Sequence, residues 1–221
     1  MKPWENLAEA RLPDGGVLTL VHHDGEYVIR AEGYDLMTSR ARNSEQAMMA
    51  LACPEPPPGA SVLVGGLGMG YTLAATLEQV DAASTVLVAE LVPEVVDWNR
   101  GPMGDLAGRP LEDPRTEVYV GDVGRLIKAS RDRFDAILLD VDNGPDSLTD
   151  RGNYAIYTPA GLAAARRALR PGGALAIWSV GADGTAQRRL RAAGFTPSEH
   201  RLPAHGKRGR SHVVYVGRRG D

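Results

Sequence analysis

Cysteine is almost missing from this chain. Cys53 stands alone, so no internal disulfide can form and no cysteine-rich zinc site can be built. Long apolar runs are missing too: none approaches the ~18 residues that a membrane-spanning helix needs. The first residues, Met1 to Asn6, carry no apolar stretch of the kind a secretory signal has. The expectation is a cytoplasmic protein with no membrane partner. Charge of one sign is also lacking. With 25 Lys and Arg against 28 Asp and Glu the formal net charge is −3, which argues against bulk attraction to nucleic acid. There is no internal repeat. His22 and His23 have no further ligands at a suitable spacing, so no metal is expected. What remains is an ordinary globular composition over 221 residues, enough to bury a full core as one domain with a small appendage.

The chain is organised around Ser61 to Thr72, which reads SVLVGGLGMGYT. A short buried strand runs into a glycine turn, and a helical pattern follows at once. Strand, glycine turn and helix is how an α/β sheet offers backbone N–H groups and a helix N-terminus to a nucleotide-like ligand. Gly65 precedes Gly66, Gly68 and Gly70, which form G-x-G-x-G. A dinucleotide fingerprint would need glycine at position 71, which is Tyr71. Such a turn also serves plain strand-to-helix packing, so its neighbours decide.

Those neighbours repeat one theme, an acid at the end of each strand. Residues 85–90 form a second buried strand ending in Glu90, placed to accept hydrogen bonds from both hydroxyls of a ribose. The structural alternative is an acid that favours the dipole of the next helix. Residues 117–122 form a third strand ending in Gly-Asp. Asp122 can accept from an exocyclic adenine amine, cap the helix over 123–130, or do both. The fourth strand, residues 134–140, delivers Asp140, and then Asp142, Asn143 and Asp146, to the carboxyl edge of the sheet. Ligands of open α/β sheets bind at that edge. Residues 169–179 read as a helix end, a tight turn and a fifth strand. Residues 195–202 and 211–219 close the series as a pair, joined by a basic, glycine-rich connection over 205–210. That connection reads as a solvated hairpin tip, with a lid over a phosphate or acidic substrate as the alternative.

Upstream of the glycine turn, two β-rich runs within residues 17–31 flank Asp24-Gly25, a strong hairpin signal. Ser44 is placed to N-cap a helix reaching about Ala52. The polar segment 38–42 between them would pass close to the glycine turn and bring Ser39 or Arg40 within reach of a ligand. The proline-rich stretch 54–59 is a stiff linker. It divides an appendage over 1–53, a hairpin and a helix, from the main domain over 54–221.

The whole pattern is a doubly wound, mostly parallel seven-stranded α/β sheet with a small N-terminal β-hairpin appendage. The ordered series resembles the class I S-adenosylmethionine (SAM)-dependent methyltransferase fold: the glycine loop at 65–70, acids ending strands two to four, and Arg170-Pro-Gly-Gly173 before strand five. The usual acid before the first loop glycine is absent, since Val64 stands there. Within this fold the chain is similar to the spermidine synthases, the polyamine aminopropyltransferases. The hairpin, Met37-Thr-Ser-Arg40, Ser44-Glu-Gln-Ala-Met48, Gly65-Gly66, residues 135–140 and Gly144-Pro145 carry that likeness. The resemblance implies SAM or decarboxylated SAM as donor, no metal, and a homodimer. It implies that Glu90 binds the ribose, that Asp122 binds the adenine, and that Asp140 orients and deprotonates an attacking amine.

Three departures bear on the reaction. Gly68 stands where that family carries the acid that holds the free amine of decarboxylated SAM. Only Asp142 or Asn143 can replace the second acid after strand four. Ser44 or a neighbour stands in place of the substrate tyrosine. Gly68 removes a negative charge that would repel an intact methionine carboxylate, so methyl transfer is set slightly ahead of aminopropyl transfer. The expected acceptor is a small cationic amine, held by Asp140, Asp142, Asn143, Asp146 and Arg40. Two other classes stay open: a SAM- or nucleotide-binding sensor or partner subunit without turnover, and an NAD-dependent oxidoreductase, which Tyr71 disfavours.

Overall fold

The computed structural model describes residues 3–12, 15–140, 153–203 and 211–220. Chain order opens with four strands, β1 (Glu5–Arg11), β2 (Val17–His23), β3 (Glu26–Ala31) and β4 (Tyr34–Thr38), which pair in sequence as an antiparallel meander. The expected hairpin is its centre. Asp24 and Gly25 both have positive φ, 49° and 80°, as a two-residue turn matching the strand twist requires. Glu32 and Gly33 repeat the device between β3 and β4, with φ of 50° and 83°. The appendage is thus a four-stranded sheet, twice the size the Asp-Gly signal alone indicates.

Helix α1 (Asn43–Ala52) leads into β5 (Ser61–Gly65). Then follow α2 (Tyr71–Gln79), β6 (Thr85–Glu90), α3 (Pro93–Arg100), β7 (Thr116–Val120), α4 (Val123–Ala129), β8 (Phe134–Leu139), α5 (Pro159–Ala168), β9 (Leu169–Ser179), α6 (Ala186–Ala192), β10 (Phe195–Pro203) and β11 (Ser211–Arg219). The seven later strands form one sheet in the order β10-β11-β9-β8-β5-β6-β7. β5 to β9 run parallel, and β11 is antiparallel to both β9 and β10. The strand leaving 169–173 is already paired with β8, through a bulge, where the sequence pattern suggested a turn.

Alternation along the central strands explains why both faces are covered. Val62, Val64, Val86, Val88 and Leu138 join one core with α1, α2, α3 and the inner face of the meander. Leu63, Leu87, Ile137, Leu139 and Ile177 join the other with α4, α5 and α6. Strands buried on two sides need near-continuous apolar runs, which residues 62–64 of β5, 86–89 of β6 and 136–139 of β8 supply. The strand order reverses between β5 and β8, the switch point at which open α/β sheets bind their ligands. No described helix is long and apolar enough to cross a membrane.

Candidate active site

The candidate site is built at the carboxyl ends of β5, β6 and β8. The glycine turn after β5 is held by backbone bonds: Gly66 N–H donates to Ala89 O (2.9 Å) and Gly70 N–H to Leu67 O (2.8 Å). Gly66, Gly68 and Gly70 all have positive φ (87°, 50° and 83°), the conformation that glycine tolerates best. Helix α2 starts directly after Gly70 with no side-chain cap. Its first-turn N–H groups therefore face the loop unsatisfied by a capping side chain, as an anion-accepting helix terminus does.

Glu90, at the end of β6, is buried and binds the glycine loop. One carboxylate oxygen accepts from Leu67 N–H and the other from Val92 N–H, each at 2.9 Å. The acid therefore ties the glycine turn to the start of α3. Asp122 caps α4, its Oδ1 accepting from Gly124 N–H at 2.6 Å. The capping reading of this residue holds, with Oδ2 turned toward Arg125 at 3.8 Å.

Asp140 is the centre. Its N–H donates to Gly65 O at 2.8 Å, which fixes it against the glycine turn. Thr72 Oγ1, in the first turn of α2, donates to its Oδ2 at 2.7 Å. Burial pushes the Asp140 carboxyl up to about 6, and the Thr72 bond opposes that rise. Asp142, Asn143 and Asp146 lie outside the described residues, as does the basic connection over 205–210.

The segment that leaves the meander crosses this edge, as its polarity suggested. Tyr71 O–H donates to Ser39 O at 3.1 Å. Met37 fills the space above Gly68: a Cβ there would lie 2.7 Å from Met37 Cε and 2.9 Å from Sδ. Arg40 turns the other way and pairs with Glu26 of the meander at 3.1 Å. Ser44 is not a cap; Arg42 holds the N-cap position of α1 without a side-chain bond. Ser44 is instead buried, accepting from Trp178 Nε1 (2.9 Å) and lying 2.7 Å from His212 Nδ1. His22 packs on the ring of Tyr27 and His23 on that of Trp4, and no group of metal-binding side chains exists among the described residues.

Four contributors escaped the sequence pattern: Glu45, Tyr71, Met37 and Asn99. Glu45 is buried, and Tyr71 is buried beneath the Arg42 guanidinium, 5.8 Å from its ring centre. Asn99 Nδ2 donates to Gly68 O (2.8 Å) and Val95 O (2.9 Å), pinning the glycine turn from α3. Glu45 had one visible signal, an acid in a first helical turn, and that signal reads as dipole compensation.

No family model matches the chain. It is similar to the polyamine aminopropyltransferase of Korarchaeum cryptofilum, 27% identical over 180 residues that cover 79% of this chain and 52% of that protein. It is also similar to the polyamine aminopropyltransferase of Nitrosomonas europaea, 36% identical over 122 residues, covering 54% of this chain and 35% of the other. The chain spans about half the length of these curated relatives or less. Among solved structures, spermidine synthase from Thermotoga maritima superposes with a TM-score of 0.73 at 16% identity, over 97% of this chain and 73% of that one. The fold is therefore the class I methyltransferase-like fold that spermidine synthases have.

Proposed function

We propose that the protein transfers an alkyl group from a SAM-type sulfonium donor to a small cationic amine, with Asp140 as proton acceptor. The observation that carries this reading is Asp140 itself, a carboxylate held against the glycine turn at the switch point of the sheet, bonded by Thr72 and raised to about 6 by burial. The residues present suit such a donor. The glycine turn and the uncapped start of α2 offer N–H groups, Glu90 would take the ribose hydroxyls, and Asp122 Oδ2 would take the adenine amine. When bound, the donor supplies its own leaving group at sulfur.

The work left to the chain is positioning and proton transfer. A primary amine free in water has a pKa of about 10, so it arrives as an ammonium and pairs with Asp140. One proton first passes to that carboxylate, which frees the nitrogen lone pair to form the new C–N bond as the donor's C–S bond breaks. Raising Asp140 from 3.8 to about 6 narrows its mismatch with the amine by about two units, on the order of 3 kcal/mol of driving force. Asp142, Asn143 and Asp146 are proposed to hold the far end of the acceptor.

The names of the relatives, polyamine aminopropyltransferases, support aminopropyl as the transferred group. A second reading, methyl transfer from intact SAM, is favoured by Gly68, where no acid can hold a free amine and Met37 occupies the space. Calorimetric titration with SAM and with decarboxylated SAM tests both. The tighter-bound donor identifies the group transferred, and binding of neither overturns the proposal. A homodimer in the cytoplasm is proposed as the working form.

A further inference from the structure

We propose that Glu45 is the second carboxylate of the acceptor site, sharing one ammonium of the amine with Asp140 and setting the preference for a cationic acceptor. The inference rests on the donor-and-amine reading above and names a residue that reading does not use.

Glu45 is 5% exposed, and its Oε2 is buried with no hydrogen-bond partner among the described residues. A buried carboxyl oxygen left unpaired is costly unless something completes it. The position of Glu45 is set by its neighbour. Ser44 is locked by Trp178 Nε1 at 2.9 Å and stands 2.7 Å from His212 Nδ1. Trp178 is the next-to-last residue of β9, and Leu139 on β8 is in register with Ile177. The first turn of α1 therefore lies over the strand end beside Asp140. Thr72 occupies Asp140 Oδ2, so the carboxyl retains an oxygen for a second donor. An ammonium has three N–H donors and suits two acids facing one cleft.

Asp140 from the end of β8 and Tyr71 from α2 interact with Glu45, Thr72 from α2 bonds Asp140, Arg42 lies over Tyr71, and His212 from β11 stands against the neighbouring Ser44. Burial first, and Asp140 second, hold the Glu45 carboxyl well above the usual range. Burial raises Tyr71, while Arg42 opposes the rise. Both acids are raised, so together they hold a proton more readily than exposed carboxylates do. An incoming ammonium replaces that proton, so one cation is bound as one proton leaves.

The test is calorimetric titration of the full chain with 1,4-diaminobutane in two buffers of different ionisation enthalpy. The parent protein is expected to bind the diamine with proton release. Glu45→Gln is expected to bind it about ten- to a hundredfold more weakly, since one charge-assisted bond is lost, with the release abolished. Glu45→Asp should restore part of the affinity and the release, and titration with SAM or decarboxylated SAM should be unchanged in both variants. Diamine binding in Glu45→Gln within twofold of the parent, with the same proton count, would leave Glu45 a structural acid and overturn the proposal. So would a parent protein that binds no diamine. Failure of both donors with Glu45-dependent diamine binding would sink the donor reading alone.

Discussion

Thr72 offers the sharpest probe of the proposed chemistry, because one hydroxyl sets the balance at Asp140. The residue is 3% exposed, and its Oγ1 donates to Asp140 Oδ2 at 2.7 Å. Thr72→Val keeps the shape and removes only the bond. A hydrogen bond to a charged group is worth about 1.5–3 kcal/mol, or about one to two pH units. The Asp140 titration, near 6 in the parent, should move up to about 7–8 when that bond is lost. At about pH 7 the ionised fraction would fall from roughly nine-tenths to between a half and a tenth, and turnover should fall about two- to tenfold with it. Above about pH 9 the two proteins should converge. The assay is the pH profile of kcat, backed by 13C titration of the Asp140 carboxyl in the resting protein. Because Glu45 lies beside Asp140, the observed midpoint belongs to the pair. An acid limb that does not move, or a deficit that persists at high pH, would refute Asp140 as proton acceptor.

Three further outcomes follow from the same geometry. Asp140→Asn should abolish transfer and leave donor binding near normal; it should also stabilise the fold at high pH. The raised Asp140 carboxyl contributes stability below its ordinary value of 3.8 that is lost as pH rises through about 6, a loss of about 3 kcal/mol, so thermal melts of the variant should exceed the parent at alkaline pH and match it in acid. Glu90→Ala orphans the buried N–H groups of Leu67 and Val92 at about 1–3 kcal/mol each; calorimetry should show donor affinity failing before chemistry, and an unchanged affinity would remove Glu90 from the ribose site. Gly68→Asp places an acid at a residue with φ of +50°, which aspartate tolerates at about 1 kcal/mol, and should shift donor preference toward decarboxylated SAM; a ratio unaltered both in this variant and in its combination with Met37→Ala would show that this position does not select the donor.

The fold was legible because its strands are buried on both faces. Runs such as Val62-Leu-Val64 and Val86-Leu-Val-Ala89 have no polar alternation, a pattern expected only of parallel strands under two helical layers, and each ends where a glycine or an acid begins. The order of acids at strand ends puts Glu90, Asp122 and Asp140 at the carboxyl ends of β6, β7 and β8, one edge of the sheet. The meander was half legible. Asp24-Gly25 announced one turn, whereas Glu32-Gly33 adopts the same conformation without an asparagine or aspartate to advertise it. β1, polar at four of its seven positions, and β4, where the apolar Leu36 and Met37 are adjacent, carried no clear alternation at all.

The candidate site was less legible than the sheet, for a physical reason. Strand-end acids belong to local patterns, but Glu45, Met37 and Tyr71 acquire their environment from contacts between elements distant in the chain. Met37 meets Gly68 across 31 positions, and Ser44 meets Trp178 across 134. Helical periodicity places Ser44 and Glu45 in a first turn and assigns them capping and dipole roles. The turn is instead pressed into the sheet edge, and burial converts Ser44 into a bridge and Glu45 into an acid with an unpaired oxygen. The same inversion applies to Gly68. In the sequence it marks an acid that is missing; in the fold it marks a space that Met37 fills. An acid removed and an apolar side chain inserted change the donor tail's surroundings together, so restoring the carboxylate alone tests charge while the Met37 contact tests volume. If selection at this edge is electrostatic, Gly68→Asp shifts the donor ratio even with Met37 in place; if it is steric, the shift requires Met37→Ala as well.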